Sequence, residues 1–345
     1  MPDILQKNPK PMKRQGRLIE ELLDLNNLYK AFYKAQKGKV FDQEVMAYRQ
    51  RLPDNLQLLQ RQLRSGAIET GSYHYFTVYD PKKRLICAAP FSQRVLHHAL
   101  MNVCHDSFEK HQIENSFASR IGKGTYAALD TAQACHRHYG WFLKLDVRKY
   151  FESIDHTVLK AQLRRLFSQK HLLLMVEKII DSYETTAQKS VPIGNLTSQY
   201  FANHYLSRVD HWIKEELHIP AYVRYMDDMV LWHNDREFLL DAGYRLQEFA
   251  ATELKLVFKP FCLNSPETGL PFLGYLLFPG RVRLTQQSKK RFIRKSWLYA
   301  EYLQTGRWSQ KEYANHVMPL VSFTEYADAV EFRKNVYNSL MDEKE

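Results

Sequence analysis

Residues 221–232 read Ala-Tyr-Val-Arg-Tyr-Met-Asp-Asp-Met-Val-Leu-Trp, and this stretch decides the fold that we predict for the chain. Apolar and polar residues alternate on either side of Met226-Asp227-Asp228, which indicates two short strands. Aspartate is a common turn residue, so the two strands are predicted to form a hairpin. The hairpin would present two adjacent carboxylates at its tip.

Two adjacent carboxylates cannot both be ionised without a compensating cation, and hard oxygen ligands suit Mg²⁺. Trp141 to Asp146 predict a second strand that ends in a further carboxylate. Together Asp146, Asp227 and Asp228 would supply the ligands of a site for two Mg²⁺ ions about 3.5–4 Å apart. The alternative interpretation is an ordinary Asp-Asp turn, which many hairpins contain.

The chain has 345 residues, of which 45% are hydrophobic, and this composition indicates a folded protein with a sizeable core. Lys and Arg number 49 against 38 Asp and Glu, which gives a net charge of +11. A basic protein of this kind suits a polyanionic partner such as nucleic acid. Residues Met1 to Arg17 are polar and basic, and they predict a loose tail or an RNA-contacting arm.

The cysteines and the hydropathy exclude several other classes. Cys87, Cys104, Cys135 and Cys262 form no C-x-x-C motif, so neither a zinc site nor a redox motif is predicted. No apolar run approaches the ~20 residues of a membrane span, and no apolar signal region stands at the N-terminus. We therefore predict a cytoplasmic protein with no membrane partner.

Two further stretches suggest a nucleotide site. Residues 73–77 and 84–87 predict strands joined by a basic turn, Asp80 to Lys83, which could fold over a triphosphate. Arg84 offers a planar fork that bonds phosphate and also stacks on a base. Phe151 could press against the sugar of an incoming nucleotide and exclude a 2′-hydroxyl, although a place in the ordinary core is the alternative.

Residues 191–200 predict a loop that leads into a long helix. Gly194 would let the backbone come close to a ligand, and Ile193 would place an apolar side chain near a templating base or its partner. Leu254 to Lys259 predict another strand, and the chain beyond Thr285 predicts helices.

Assembled in order, these stretches resemble reverse transcriptases over nearly the whole chain. The matching segments are Arg84 to Leu100, Ser116 to Thr125, Leu145 to His156, Pro192 to Gln199, Tyr225 to Asp228, Lys259, and Phe272 to Tyr275. The resemblance implies an α+β, right-hand polymerase fold with fingers, a ferredoxin-like palm and a small helical thumb. Residues 1–135 would form the N-terminal region and fingers, 136–283 the palm, interleaved with the fingers, and 284–345 the thumb.

The resemblance also implies an RNA-directed DNA polymerase that uses two Mg²⁺ ions, a template RNA, a cDNA primer strand and dNTPs. Asp146 and Asp227 would hold both metals, with Asp228 beside them. The implied nucleotide-binding residues are Lys83, Arg84, Phe151, Ile193, Gly194 and Gln199, and the implied primer grip is Phe272, Leu273 and Gly274. Lys259 or Lys255 could protonate the leaving pyrophosphate, with surface solvation as the alternative for either lysine.

Within the group II intron-like superfamily, Ile193-Gly-Asn-Leu-Thr-Ser-Gln199 resembles the reverse transcriptases of diversity-generating retroelements. Residues 88–91 and 97–100 resemble the same group, whereas Ser92-Gln93 lacks the acidic residue that usually precedes Arg94. Such enzymes copy a template-repeat RNA with errors at adenines, and they work with a basic, oligomeric accessory protein. Two alternatives stay open: a retron-like or phage-defence reverse transcriptase of ordinary fidelity, and a non-catalytic RNA-binding protein on the same fold.

Overall fold

The computed structural model describes residues 18–79 and 83–342. The predicted arm, Met1 to Arg17, and residues 80–82 of the predicted basic turn lie outside the described residues. No helix in the described part of the chain is long and apolar enough to cross a membrane.

Helices and antiparallel strands make up the described chain. The helices are α1 (Leu18–Leu23), α2 (Leu25–Ala35), α3 (Gln43–Gln50), α4 (Leu52–Ser65), α5 (Phe91–His111), α6 (Thr125–His138), α7 (Tyr150–Ser153), α8 (His156–Leu166), α9 (Lys170–Asp181), α10 (Leu196–Glu215), α11 (Arg236–Leu254), α12 (Gln286–Gln304), α13 (Gln310–Glu325) and α14 (Val330–Asp342). The strands are β1 (His74–Val78), β2 (Arg84–Ala88), β3 (Trp141–Asp146), β4 (Ala221–Tyr225), β5 (Asp228–His233), β6 (Cys262–Asn264), β7 (Leu270–Phe272), β8 (Tyr275–Phe278) and β9 (Arg281–Leu284).

The chain divides into two compact units. One unit takes the described parts of residues 1–113, 148–211 and 249–257, and the other takes 114–147, 212–248 and the described part of 258–345. The division into fingers, palm and thumb by residue range stays a prediction.

The four-stranded sheet of the second unit has the strand order β4-β5-β3-β6, and its neighbouring strands are antiparallel. In chain order the elements read β3, helices, β4, β5, α11 and β6. This order and pairing are those of the ferredoxin-like β-α-β-β-α-β arrangement. The α+β class and the ferredoxin-like palm predicted from sequence are therefore confirmed.

The inner strands β3 and β5 contain mainly apolar residues, and most of these side chains are buried. Phe142 faces Trp232 across the two strands, and both side chains are fully buried. Their cluster includes Val230 and, from the three-stranded sheet β7-β8-β9, Leu270 and Phe272. The core of this unit thus holds β3, the β4–β5 hairpin and the β7–β8 hairpin together.

The helices predicted beyond Thr285 are present, and α12 and α13 have side-chain caps at their N-termini. The Thr285 side chain accepts a hydrogen bond from the backbone N–H of Ser288 at the start of α12, at 3.2 Å. Ser309 and Glu312 form a capping box at the start of α13. Phe292 from α12 is buried in a small core with residues of α13 and α14.

In the first unit, β1 and β2 form an antiparallel pair, as the sequence predicted. The predicted strand at Leu254 to Lys259 is wrong. Helix α11 runs to Leu254, and the following residues pair with the chain after β3 only through single hydrogen bonds, such as Arg148 N–H to Val257 C=O at 2.8 Å. Residues 255–259 alternate in polarity, but they lack the continuous ladder that defines a strand.

We expect Trp232→Phe to lower the free energy of unfolding by about 2–3 kcal/mol, because it removes buried volume and a hydrogen bond. Trp232 Nε1 donates to His136 Nδ1 at 3.3 Å, and His136 Nε2 lies 3.1 Å from the carbonyl oxygen of Pro266. In Trp232→Phe, His136 Nδ1 would lose its donor. Burial lowers the pKa of His136, so Nδ1 would not readily become protonated to compensate for that loss.

Urea denaturation measures this difference. The matched control is Trp141→Phe, because Trp141 lies at the start of β3 and is only half-buried. If Trp232→Phe lowers the free energy of unfolding by no more than Trp141→Phe does, the proposed contribution of buried Trp232 to stability is wrong.

Candidate active site

Two carboxylates face each other at one end of the four-stranded sheet. Asp146 is the last residue of β3, Asp228 is the first residue of β5, and the two are register partners. Register partners in an antiparallel pair project from the same face, with Cβ atoms roughly 4.5–5.5 Å apart. Two like charges in this position destabilise the sheet unless something neutralises them.

The predicted hairpin is present, and its turn consists of Met226 and Asp227. Met226 has a φ of 58°, a left-handed conformation that is uncommon outside glycine. Arg224 is fully buried, and its guanidinium donates to the carbonyl oxygen of Met226 at 3.0 Å. The buried arginine thus supports the turn that places Asp227 and Asp228.

Each of the facing carboxylates is paired with a lysine. Lys144 Nζ lies 3.0 Å from Asp228 Oδ2, and Lys259 Nζ lies 2.6 Å from Asp146 Oδ2. The backbone N–H of Lys259 also donates to the backbone carbonyl of Asp146 at 2.9 Å. The two ammonium groups offset the repulsion that the strand register imposes.

Asp228 is a buried carboxylate with a perturbed pKa. Burial raises its pKa from 3.8 to about 6, the charges of Asp146 and Asp227 add to the rise, and Lys144 opposes it. Its Oδ1 is buried and has no hydrogen-bond partner. A buried carboxylate oxygen without a donor is costly when the group is ionised.

Asp146 and Asp228 fit a divalent cation. Their oxygens are hard donors, they project from one face, and the buried Asp228 Oδ1 has no hydrogen-bond partner within the protein. The described residues nevertheless contain no group of three or more His, Cys, Asp or Glu side chains arranged to hold a metal. The structure therefore brings Asp146 and Asp228 together as a pair, and it does not assemble the predicted set of three with Asp227.

The predicted nucleotide-binding loop lies against β2 within the first unit. The backbone N–H of Cys87 donates to the carbonyl of Ile193 at 2.8 Å. Gly194 has a φ of 117°, and a Cβ there would lie 2.7 Å from Ile86 Cγ2, so the position requires glycine. Buried Asn195 accepts from Ala89 N–H at 3.1 Å and donates to Cys87 C=O at 3.0 Å.

The other predicted nucleotide contacts are dispersed along this unit. Arg84 begins β2 opposite Val78, and both Arg84 and Lys83 are exposed. Phe151 lies in α7 and is half-buried, and Gln199 is exposed in α10. The shared role of Arg84 and Ile193 at one nucleotide stays a prediction.

The two predicted proton donors have different partners. Lys259 contacts Asp146, as described, whereas Lys255 Nζ lies 2.8 Å from Asp155 Oδ2. Asp155 also caps α8, because it accepts from Val158 N–H at 3.1 Å. Of the two lysines, Lys259 is therefore the one beside the candidate site.

The predicted primer grip is the turn between β7 and β8, in which Leu273 and Gly274 have φ values of 49° and 90°. The carbonyl oxygen of Gly274 accepts from Ser288 Oγ at 2.7 Å and from Thr285 at 3.2 Å. A Cβ on Gly274 would lie 3.0 Å from Phe323. This turn is thus fixed to the first residues of α12.

Sequence reasoning missed Lys144, Arg224 and Asn195. A signal was present for Lys144, because it is a charged residue two positions before Asp146 in an otherwise apolar strand. That spacing places both side chains on one face of the sheet. Arg224 offered a similar signal between the apolar residues of β4, whereas Asn195 carried none.

The raised pKa of Asp228 predicts a pH dependence of stability in EDTA. The folded protein holds this proton up to about pH 6, while the unfolded chain releases it near 3.8, so stability from this group falls as the pH rises through that window. We expect the free energy of unfolding of Asp228→Asn, relative to wild type, to increase by on the order of 2–3 kcal/mol from pH 4 to pH 7.

Urea denaturation at several pH values measures this difference. Asp241→Asn is the control, because its carboxylate is 64% exposed, and its difference from wild type should stay flat. A flat difference for Asp228→Asn as well would show that Asp228 has an ordinary pKa.

Known proteins resemble parts of this chain. A putative COX1/OXI3 intron 1 protein of Saccharomyces cerevisiae is 22% identical over 133 residues, which cover 36% of this chain and 16% of the yeast protein. A truncated apo telomerase from Candida tropicalis has a TM-score of 0.47 at 12% identity. The superposition covers 63% of this chain and 55% of the telomerase chain. A Candida albicans telomerase with a telomeric RNA fragment has a TM-score of 0.44 at 12% identity, covering 79% and 55%. This chain thus spans a small part of the yeast protein and about half of each telomerase chain.

The sequence model of one protein family covers more than half of the chain. The family is described as "Reverse transcriptase (RNA-dependent DNA polymerase)", and the match runs over residues 79–275. This range contains the facing pair Asp146 and Asp228, the hairpin turn with Asp227, and the loop at Ile193. On the strength of this match, the chain belongs to the reverse transcriptase family.

Proposed function

We propose that this protein is an RNA-directed DNA polymerase that extends a cDNA primer with dNTPs on a template RNA. The observation that carries the proposal is the pair Asp146 and Asp228, which face each other on neighbouring strands inside the region that matches the family. Reverse transcriptases generally use divalent metal ions, and we propose Mg²⁺ here because the ligands are carboxylate oxygens. The basic net charge of +11 suits the nucleic-acid partners.

We assign the metal ligands to Asp146, Asp227 and Asp228. Bound metal would activate the primer 3′-hydroxyl and stabilise the charge that develops on the leaving pyrophosphate. Asp146 and Asp228 would bind from their two strands, and Asp227 would join them from the adjacent turn. Lys259, at 2.6 Å from Asp146, is our candidate for donating a proton to the pyrophosphate.

We assign the nucleotide contacts to the first unit. Arg84 and Lys83 are exposed at the start of β2, where their charges are accessible to a triphosphate. Phe151 is proposed as the sugar gate, and its half-buried ring leaves one part accessible to a ligand. Gly194 and Gln199 would line the same nucleotide, and the turn of Leu273 and Gly274 would hold the primer.

The carboxylate assignment is tested with Asp227→Asn. We expect this variant to lose Mg²⁺-dependent cDNA synthesis by at least about 100-fold, because a neutral amide binds a divalent cation far less strongly than a carboxylate does. RNA binding should stay within about threefold of wild type, because neutralising one carboxylate leaves the Lys and Arg contacts to phosphate in place.

Primer extension on a defined RNA and filter binding of the same RNA measure the two quantities. Asp241→Asn makes the same chemical change at an exposed site paired with Arg245, and it should extend primers like wild type. Near-normal extension by Asp227→Asn would remove Asp227 from the metal site. If Asp227→Asn loses both RNA binding and primer extension, the variant has a folding defect instead.

We further propose that the enzyme belongs to a diversity-generating retroelement and introduces errors opposite template adenines, with a basic, oligomeric accessory protein as its partner. The supporting feature is the resemblance of residues 193–199, which implies that Ile193 takes the place of a hydrogen-bonding glutamine found in most other bacterial reverse transcriptases. Ile193 has a branched apolar side chain that neither donates nor accepts hydrogen bonds. A base pair beside it would be restrained by shape alone, and mispairs would be rejected less strongly.

This proposal predicts that Ile193→Gln lowers misincorporation opposite adenine more than opposite the other three bases. A restored restraint worth about 1.4 kcal/mol would reduce the misincorporation ratio about tenfold. Sequencing of cDNA made on one RNA, with the accessory protein present, measures the error rate at each template base.

Leu174→Gln is the matched control, because it adds the same amide at a side chain that is 65% exposed on α9. Its error spectrum should equal that of wild type. If wild-type cDNA carries no excess of errors at adenine, the retroelement assignment fails, and a reverse transcriptase of ordinary fidelity remains.

A further inference from the structure

Lys144 occupies an unusual place for a lysine. It lies in β3, an inner strand of the four-stranded sheet, where its register partners are Val230 on β5 and Cys262 on β6. Its side chain projects from the same face as Asp146, two residues further along the strand. Only 21% of the side chain is exposed, so the ammonium group needs acceptors within the protein.

Those acceptors come from two different hairpins. Lys144 Nζ lies 3.0 Å from Asp228 Oδ2, at the start of the second strand of the β4–β5 hairpin. It also donates to the backbone carbonyl of Pro271 in β7, and it lies 5.7 Å from the centre of the Phe272 ring. We call this set of contacts the Lys144 bridge.

The bridge joins a candidate metal ligand to the candidate primer grip. Phe272 is the last residue before the turn of Leu273 and Gly274, and its ring is buried in the core. The other lysine at the site, Lys259, contacts Asp146 through its side chain and through its backbone. The two lysines therefore neutralise one carboxylate each, while Lys144 contacts the β7–β8 hairpin as well.

We infer that Lys144 is a positioning residue, which holds the β7–β8 turn at a fixed distance from the Asp228 carboxylate and so aligns the primer 3′ end with the reacting groups. The inference rests on the function and the carboxylate roles proposed above. Alignment matters because a displacement of about 1 Å between reacting groups can reduce a rate roughly 100-fold. A lysine can hold both acceptors at once, because its ammonium group has three donors on a flexible stem.

Lys144→Met removes the donors and keeps most of the apolar stem. We expect kcat for primer extension to fall by about 10- to 100-fold, while the Kd for primer–template and the KM for dNTP change by less than about threefold. Lys144→Arg, which can still donate to both acceptors, should recover most of the lost kcat. A contact that served stability alone would change the thermal midpoint without this separation of kcat from Kd and KM.

Hydrogen–deuterium exchange in EDTA provides a readout that does not depend on catalysis. In Lys144→Met, amides of residues 272–276 should exchange at least about fivefold faster than in wild type, because β7 has lost its connection to Asp228. Lys259→Met is the matched control, because it removes a lysine from the facing carboxylate and leaves the β7–β8 hairpin untouched. In that control, exchange at residues 272–276 should equal wild type. If Lys144→Met does not fold, Lys144→Leu, which also lacks a donor, replaces it with the same expected results.

These experiments separate the positioning role of Lys144 from the metal-ligand role of the carboxylates. Unchanged exchange at residues 272–276 in Lys144→Met, or a kcat within twofold of wild type, would overturn the positioning role. Equal impairment of Lys144→Arg and Lys144→Met would overturn it too. If Asp227→Asn extends primers normally while Lys144→Met still accelerates exchange, the bridge stands and the carboxylate assignment fails.

Discussion

The facing carboxylates of Asp146 and Asp228 are the constraint on which the rest of the candidate site depends. Their opposition follows from the register of β3 and β5, which is fixed by buried partners such as Phe142 and Trp232. A slip of one residue would turn those core side chains outward, so the sheet cannot relieve the repulsion by shifting. The charges must therefore be neutralised by cationic groups that lie close to the pair.

The protein supplies that charge itself, through Lys144 and Lys259. Lys144 Nζ and Lys259 Nζ each lie within 3.0 Å of one carboxylate, and their positive charges offset the repulsion between the two aspartates. The same end of the sheet also holds the left-handed Met226, supported by buried Arg224. Strain and unpaired polar atoms are tolerated here because the surrounding core is large, and such features concentrate at functional sites.

The sequence predicted the local features of this site and missed the contacts that join them. The hairpin at 226–227 and the strand ending at Asp146 each follow from alternation and turn residues within a few positions. In the Lys144 bridge, Asp228 is 84 positions and Pro271 is 127 positions away from Lys144 along the chain. No local sequence pattern predicts contacts over such separations. The strand predicted at 254–259 failed for the same reason, because a strand is defined by its partner and not by alternation alone.

In the loop at Ile193, the contacts that fix the backbone do not depend on which side chain residue 193 carries. Asn195 and the backbone of Cys87 hold the loop through three hydrogen bonds, and the tight approach of Gly194 to Ile86 leaves it little freedom. None of these contacts uses the Ile193 side chain. The side chain can therefore vary between apolar and hydrogen-bonding types without displacing the backbone. The chemistry of residue 193 can thus change while the fold and the carboxylate pair remain the same.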